Sequence, residues 1–135
     1  MALLNWSDQY SVGVKALDDQ HKVLVNTLND LHAAIMKGQA SNITGSLLTQ
    51  LVKYTRDHFA AEEAIMTRTK FAGFAAHRAK HLDLTRQVED YVASYQRGEI
   101  TLNLNLLNFL RDWLMTHILK EDMEYRGWFN ANGVH

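Results

Sequence analysis

The sequence predicts an all-α protein, an antiparallel up-down-up-down four-helix bundle with an N-terminal arm. Apolar residues recur at three- and four-residue steps along four long stretches, which is the period of a helix with one buried face. The chain has no proline, so the strongest helix breaker is missing. No alternating apolar segment with a hairpin turn stands out, which argues against strands. At 135 residues, 47% of them hydrophobic, we expect one domain spanning 1–135.

The first helix is predicted over 17–37, after an arm formed by residues 1–16. Asp18 or Asp19 is expected to cap its start, since a carboxylate accepts hydrogen bonds from the free N–H groups of a first turn. Gly38 follows its end, where a residue in the left-handed conformation is favoured. The apolar stripe of this helix consists of Leu24, Leu28, Leu31 and Ile35.

Three further helices are predicted over 43–67, 74–97 and 104–125. Each carries its own stripe of leucines and aromatic residues at helical spacing. Gly98 closes the third helix in the same way as the glycine after the first. Short loops between helices of this length make consecutive helices antiparallel.

Composition excludes several classes of protein. The 14 basic and 15 acidic residues nearly cancel, so we expect no nucleic-acid partner. No apolar run of about 18 residues is present, so we expect no membrane span. The N-terminal residues lack the basic start and long apolar core of a secretory signal. The absence of cysteine removes disulfides and thiolate ligands and fits a reducing compartment, so a cytoplasmic location is expected.

Seven histidines are many for this length, and their positions are not random. With turns near residues 40, 70 and 100, His21 lies about 19 residues before the first turn and His58 about 18 after it. Equal distances from a turn mean equal heights in an antiparallel bundle. The same comparison of distances from the second and third turns predicts that six side chains lie at one position along the bundle axis. They are His21, His58, Glu62, His77, His81 and His117.

The faces of the helices agree with these heights. His58 and Glu62 are four residues apart, as are His77 and His81, so each pair shares one face of its helix. Leu24 follows His21 by three residues and Leu114 precedes His117 by three, so these histidines lie on apolar, inward stripes. Asp122 follows His117 by five residues, which is about 140° around an ideal helix. It joins the site only through a local distortion such as a π-type turn, or through a long reach. Glu63 is expected on the solvated face.

The donor set indicates the kind of metal. Five imidazoles and two carboxylates are too many for one tetrahedral zinc ion, and they suit two octahedral-leaning ions bridged by carboxylates. Imidazole and carboxylate without sulfur favour non-haem iron, although manganese, zinc and cobalt also accept such ligands. Ferritin-like di-iron proteins use a carboxylate-rich ligand set. The nitrogen-rich set here favours, as a hypothesis, reversible chemistry over high-valent oxidation.

These residues also match a known family. The chain resembles the haemerythrins, and more closely the single-domain bacterial haemerythrins, over nearly its whole length. Each matching segment alone is a weak signal, but all of them in order and at these intervals are a strong one. The segments are Trp6 with the arm, Val12-Gly13-Val14, Asp18-Asp19-Gln20-His21, His58-Phe59-Ala60-Ala61-Glu62-Glu63, His77-Arg78-Ala79-Lys80-His81 and His117-Ile118-Leu119-Lys120-Glu121-Asp122.

The resemblance implies a centre of two non-haem iron ions, bridged by two carboxylates and an oxo or hydroxo group. One iron would be coordinatively full, and the other would keep one open position. The ligands implied for the full iron are His77, His81 and His117. Those implied for the open iron are His21 and His58, and the implied bridging residues are Glu62 and Asp122.

The resemblance further implies reversible binding of dioxygen at the open position. An apolar pocket wall would exclude the water and protons that leave the irons oxidised. The residues implied for this wall are Leu24, Phe59, Trp113, Leu114 and Ile118. The expected function is oxygen storage or delivery, with dioxygen as ligand and an oxygen-consuming enzyme as the receiving partner.

Two alternatives stay open. One is a di-iron oxidase, peroxidase or nitric-oxide-handling enzyme, and the other is an oxygen or redox sensor. An extra proton donor or carboxylate in the pocket would favour the enzyme, and the expected wall offers none. Tyr10 and Tyr125 allow two interpretations, a hydrogen bond near the site or simple packing.

Overall fold

The computed structural model describes residues 5–38, 41–99, 104–117 and 122–135. Within these ranges there are five α-helices and no strand. They are α1 (Lys15–Met36), α2 (Ser41–Thr69), α3 (Phe74–Gln96), α4 (Leu104–Thr116) and α5 (Met123–Ala131). α1 packs against α2 and α4, and α2 also packs against α3 and α5. The predicted all-α bundle with an N-terminal arm is confirmed.

Glycines end two of the long helices, as predicted. Gly38, after α1, has a φ of 65° and donates its N–H to the carbonyl of Ile35. Gly98, after α3, has a φ of 74° and donates to the carbonyl of Tyr95. Positive φ is inexpensive only for a residue without a Cβ, so these two positions stop the helices sharply.

The start of α1 differs from the prediction. The helix begins at Lys15, and its N-cap, Val14, offers no side-chain hydrogen bond. Asp18 therefore lies inside the first turn and reaches back to the arm. Its carboxylate accepts hydrogen bonds from the backbone N–H of Val12 at 2.8 Å and from the hydroxyl of Ser11 at 2.6 Å. The aspartate thus ties the arm to the helix instead of capping it from outside.

The range 104–125, predicted as one helix, contains parts of two. α4 ends at Thr116 and α5 begins at Met123, while residues 118–121 lie outside the described part of the chain. The backbone N–H of Asp122 donates to the carbonyl of His117 at 2.8 Å. This five-residue step is the hydrogen bond of a π-type turn, which is wider than an α-helical turn. Of the two ways in which Asp122 could join the site, a local distortion or a long reach, this hydrogen bond supports the first.

Two apolar cores fill the interior. The main core lies among α1 to α4, and a smaller core lies under the arm and α5. The buried residues of the main core are Leu24, Val25, Leu28, Leu31, Leu48, Leu51, Phe59, Val88, Leu106, Leu107, Leu110, Trp113 and Leu114. Those of the smaller core are Val12, Val14, Leu17, Met66, Tyr125 and Phe129. No helix in the described ranges combines the length and apolarity that a membrane crossing requires.

Side-chain hydrogen bonds hold α5 in place. Asn130 donates to the carbonyl of Gly13 at 3.0 Å, and the indole N–H of Trp128 donates to the carbonyl of Thr69 at 3.0 Å. Gly13 has a φ of 74°, and a Cβ there would lie 2.9 Å from the amide oxygen of Asn130. Only glycine allows this close approach between the arm and α5.

Candidate metal centre

The seven predicted ligand side chains form one buried cluster between the two cores. Each of these residues is at most 2% exposed. They form two overlapping groups, and within each group one ligand atom per residue lies within 4.8 Å of all the others. The first group is His21, His58, Glu62, His117 and Asp122. The second is Glu62, His77, His81, His117 and Asp122.

Helix geometry explains most of this convergence. His58 and Glu62 lie one turn apart on α2, so their side chains point in the same direction. His77 and His81 have the same relation on α3. Asp122 is brought back to the level of the histidines by the π-type turn that precedes α5.

The two carboxylates lie between the groups. Asp122 Oδ2 is 2.8 Å from His21 Nε2, whereas its Oδ1 is 3.1 Å from His77 Nε2. Glu62 Oε1 is 2.7 Å from His58 Nε2, whereas its Oε2 is 3.9 Å from His77 Nε2. The two oxygens of Asp122 therefore face different histidines, whereas Glu62 Oε1 faces several at once, since it also lies 3.2 Å from His117 Nε2 and 3.6 Å from His81 Nε2. This arrangement suits residues that bridge two neighbouring cations.

His117 lies within reach of both groups. Its Nε2 is 3.2 Å from Glu62 Oε1 and 3.0 Å from Asp122 Oδ2. Both groups of potential ligands include it. Its assignment to the same iron as His77 and His81 therefore stays a prediction.

The polar atoms of the cluster fit a metal better than they fit one another. Within the described part of the chain, eight of them have no hydrogen-bond partner, and five of these eight lie on the inner side of the cluster. These five are His21 Nε2, His58 Nε2, His81 Nε2, Glu62 Oε2 and Asp122 Oδ2. Burying such atoms without a partner costs roughly 1–3 kcal/mol each, which a shared cation would offset. Adjacent ligands of an octahedral ion, with bonds of about 2.1 Å, lie about 3.0 Å apart, close to the N–O distances here.

The charges of the cluster also suit a cation. Burial and Asp122 push the pKa of Glu62 upward, but His58 and His117 outweigh them and lower it to about 2. Burial likewise opposes ionisation of Asp122, yet its histidine neighbours hold its pKa well below the usual value. Burial lowers the pKa of His81 to about 3 and also lowers that of His21. Ionised carboxylates and neutral imidazoles are the forms that bind metal.

His58 differs from its neighbours in charge. Burial disfavours its protonated form, but the carboxylates of Glu62 and Asp122 raise its pKa to about 9. Without a metal, a proton on this imidazole balances part of the buried negative charge. A cation at the same place would displace that proton.

Two of the predicted pocket residues, Phe59 and Trp113, lie against histidines of the cluster. Phe59 stacks on His81 with ring centroids 3.8 Å apart and planes 4° apart. The ring of Trp113 lies 6.5 Å from that of His117, at an angle of 19°. Leu24 and Leu114 are buried in the same main core. Ile118, the fifth residue predicted for the wall, lies outside the described residues.

The structure adds Gln20 to the surroundings of the centre and places Tyr125, one of the two tyrosines considered from the sequence, beside it. Gln20 Oε1 lies 2.7 Å from His58 Nδ1, on the side of the ring away from the cluster. Tyr125 is fully buried, and its ring lies 5.7 Å from that of His77. Tyr10 instead packs against Trp6 in the arm. Helical spacing did not indicate Gln20, because a residue next to His21 falls on a different face of α1, although Gln20 is part of the family-matching segment around His21.

Comparison with known proteins identifies the family. A family model described as the hemerythrin HHE cation binding domain matches residues 12–129. The chain belongs to the haemerythrin family. The cofactor of a haemerythrin domain is a di-iron centre, and the clustered histidine, glutamate and aspartate groups fit it. Membership also supports oxygen binding at that site.

Individual haemerythrins are similar over nearly their whole length. The bacteriohemerythrin of Methylococcus capsulatus is 37% identical over 126 residues, which cover 93% of this chain and 95% of that protein. The myohemerythrin of Riftia pachyptila is 29% identical over 122 residues, covering 90% of each. A crystal structure of wild-type hemerythrin superposes with a TM-score of 0.87 at 34% identity, covering 93% of this chain and 97% of the other.

Proposed function

We propose that this haemerythrin binds dioxygen reversibly at its di-iron centre and stores oxygen or delivers it to oxygen-requiring enzymes in the cytoplasm. The observation that carries the proposal is the buried cluster of five imidazoles around two shared carboxylates. An apolar core lies directly against this cluster. Such surroundings favour binding and release over further chemistry.

The seven clustered residues hold the metal ions in this proposal. His21 and His58 serve one ion, while His77, His81 and His117 serve the other. Glu62 and Asp122 would be shared by both ions, since each carboxylate lies 2.7–3.6 Å from histidines of both sets. When bound, the iron pair supplies the electrons for reversible oxygen binding. The protein contributes a rigid, dry and nitrogen-rich site on four helices.

The apolar wall keeps the site dry. Leu24, Phe59 and Leu114 are each at most 3% exposed, and Trp113 is 6% exposed. None of these side chains carries a carboxylate or an ammonium group that could deliver a proton. Exclusion of water and protons protects bound oxygen from being lost as a reduced product.

One observation favours the enzyme alternative. Tyr125 places a phenol in the interior beside His77. Burial, together with the carboxylates of Asp122 and Glu62, raises its pKa well above the usual value, so the hydroxyl keeps its proton. A hydroxyl here can donate a hydrogen bond, which the apolar wall cannot and which an oxidase or peroxidase site needs, although its raised pKa makes it a weaker acid than an ordinary tyrosine.

Anaerobic reduction followed by oxygenation separates the two functions. We expect visible charge-transfer bands that appear when oxygen is admitted and vanish on degassing, over repeated cycles. Rapid irreversible oxidation of the irons, or steady consumption of an added reductant, would instead indicate an enzyme. A metal analysis of the purified protein, recorded with the same spectrum, checks that iron is the metal loaded.

Replacing Leu114 by alanine tests the apolar wall. We expect Leu114→Ala to retain its iron but to release oxygen faster and to autoxidise faster, because water gains access to the centre. Leu107→Ala is the matched control, since Leu107 is a buried core leucine two turns earlier on α4. Both changes should cost about 2–5 kcal/mol of stability. Equal oxygen release and autoxidation rates in the two variants would contradict a role of Leu114 in the pocket.

A further inference from the structure

A glutamine on α1 makes a hydrogen bond behind one of the proposed ligands. Gln20 Oε1 lies 2.7 Å from His58 Nδ1. The other ring nitrogen, Nε2, faces the cluster, where it lies 2.7 Å from Glu62 Oε1. Gln20 on α1 therefore contacts His58 on α2 at Nδ1, while Nε2 of the same ring faces the proposed metal centre.

The chemistry of imidazole gives this contact a direction. To bind a cation, Nε2 must offer its lone pair, so the proton of the neutral ring is on Nδ1. Nδ1–H then donates to the side-chain amide oxygen of Gln20, Oε1. Such a bond fixes the tautomer and the orientation of the ring, and it makes the metal-binding nitrogen more basic.

The contact distinguishes His58 from three of the other ligands. The outer nitrogens of His21, His77 and His81 have no hydrogen-bond partner among the residues that the structure describes. The hydrogen bond from His58 to the Gln20 side chain therefore affects only one of the two groups of ligands. That group is the one that His21 and His58 share.

A cavity near the surface is lined by both Gln20 and His58. The cavity has a volume of about 210 Å³ and is lined by Gln20, Val23, Tyr54, Asp57 and His58. Val23 and Tyr54 are exposed, whereas the side chain of His58 is only 1% exposed. Truncating Gln20 would enlarge this cavity and let water reach Nδ1.

We propose that Gln20 is a positioning residue of the metal centre. Its carbonyl oxygen holds His58 in the tautomer that binds iron and strengthens iron binding on the side of His21 and His58. This inference rests on the ligand role of His58 in the proposed function. It does not depend on whether oxygen binding is reversible.

The decisive variant removes the acceptor and keeps the bulk. We expect Gln20→Leu to bind ferrous iron about 10–100-fold more weakly than the wild type, which is the range for loss of a partner behind a metal ligand. Competition with a ferrous chelator under anaerobic conditions measures this affinity. Gln50→Leu, at an exposed position of α2, is the control and should leave the affinity unchanged.

Two further variants separate the hydrogen bond from packing. Gln20→Ala should lose less affinity than Gln20→Leu, because water in the enlarged cavity can accept the same hydrogen bond. Gln20→Glu keeps an acceptor and adds charge, so we expect iron binding at least as tight as in the wild type. It should also shift the reduction potential of the centre downward, which spectroelectrochemistry records.

The outcomes distinguish this inference from the proposed function. A Gln20→Leu affinity within twofold of the wild type, or an equal loss in the Leu, Ala and Glu variants, overturns the positioning role. Circular dichroism shows whether Gln20→Leu folds. If it does not, the other two variants decide: the positioning role then requires that Gln20→Glu bind iron more tightly than Gln20→Ala. Irreversible oxygenation of the wild type overturns the proposed function and leaves the affinity series valid. A wild type without iron overturns both.

Discussion

Glu62→Ala should abolish the di-iron centre. Glu62 contributes to both groups of ligands, and its oxygens face histidines on two different helices. Its loss removes a ligand from both ions and leaves His58 without its nearest carboxylate. We expect iron affinity to fall about 100-fold or more and the oxygen-dependent bands to disappear. Metal analysis after anaerobic reconstitution, with the visible spectrum, measures both effects.

The neighbouring glutamate provides a matched control. Glu63 has a side chain that is 24% exposed and lies 3.6 Å from the guanidinium of Arg78, outside the cluster. Glu63→Ala should keep iron and spectrum and change stability by less than about 1 kcal/mol, as expected for a partly exposed ion pair. Iron retained in Glu62→Ala, or lost equally in the two variants, would remove Glu62 from the ligand set.

Removing the metal should produce the largest change in stability. Five imidazoles and two carboxylates are buried together, and without a cation their ligand atoms satisfy one another poorly. A ligand at about 1,000 times its dissociation constant stabilises the folded state by about 4 kcal/mol. For a chain of this size, we expect chelation to lower the melting temperature by on the order of 10–20 °C. Calorimetry of loaded and stripped protein tests this.

Glu62→Ala is also the control for that experiment. Since it should not hold iron, its melting temperature should not respond to iron or to a chelator. A stripped wild type that melts at the temperature of the loaded protein would contradict the metal-binding role of the cluster.

The position of the centre along the bundle axis was predictable. In antiparallel helices, residues equally far from the connecting turn lie at the same position along that axis. His21 and His58 lie at nearly equal distances from the first turn, and the structure places their rings 4.4 Å apart. The four-residue step between His58 and Glu62 similarly specifies a shared face. These features depend on backbone periodicity alone, which composition and spacing reveal.

Features that depend on side-chain reach were not predictable. Gln20 contacts His58 across two helices although it occupies a face of α1 next to the inward one. Tyr125 belongs to the apolar stripe of α5, and spacing does not show whether its hydroxyl or its ring matters. For Asp122, spacing left a local distortion and a long reach open, and it took the observed hydrogen bond from its backbone N–H to the carbonyl of His117 to choose between them.

The polar layer between the two cores has a consequence for the assembly of the helices. Leucine stripes alone tolerate a slide of one helix along another by a full turn, since one leucine can replace the next. The metal layer matches only itself, so a slide of α2 by one turn would move either His58 or Glu62 into the other's place and carry the remaining one out of the cluster into an apolar core. A buried polar layer of this kind selects one axial alignment of the bundle. The residues that carry oxygen chemistry in our proposal therefore also determine how the helices line up.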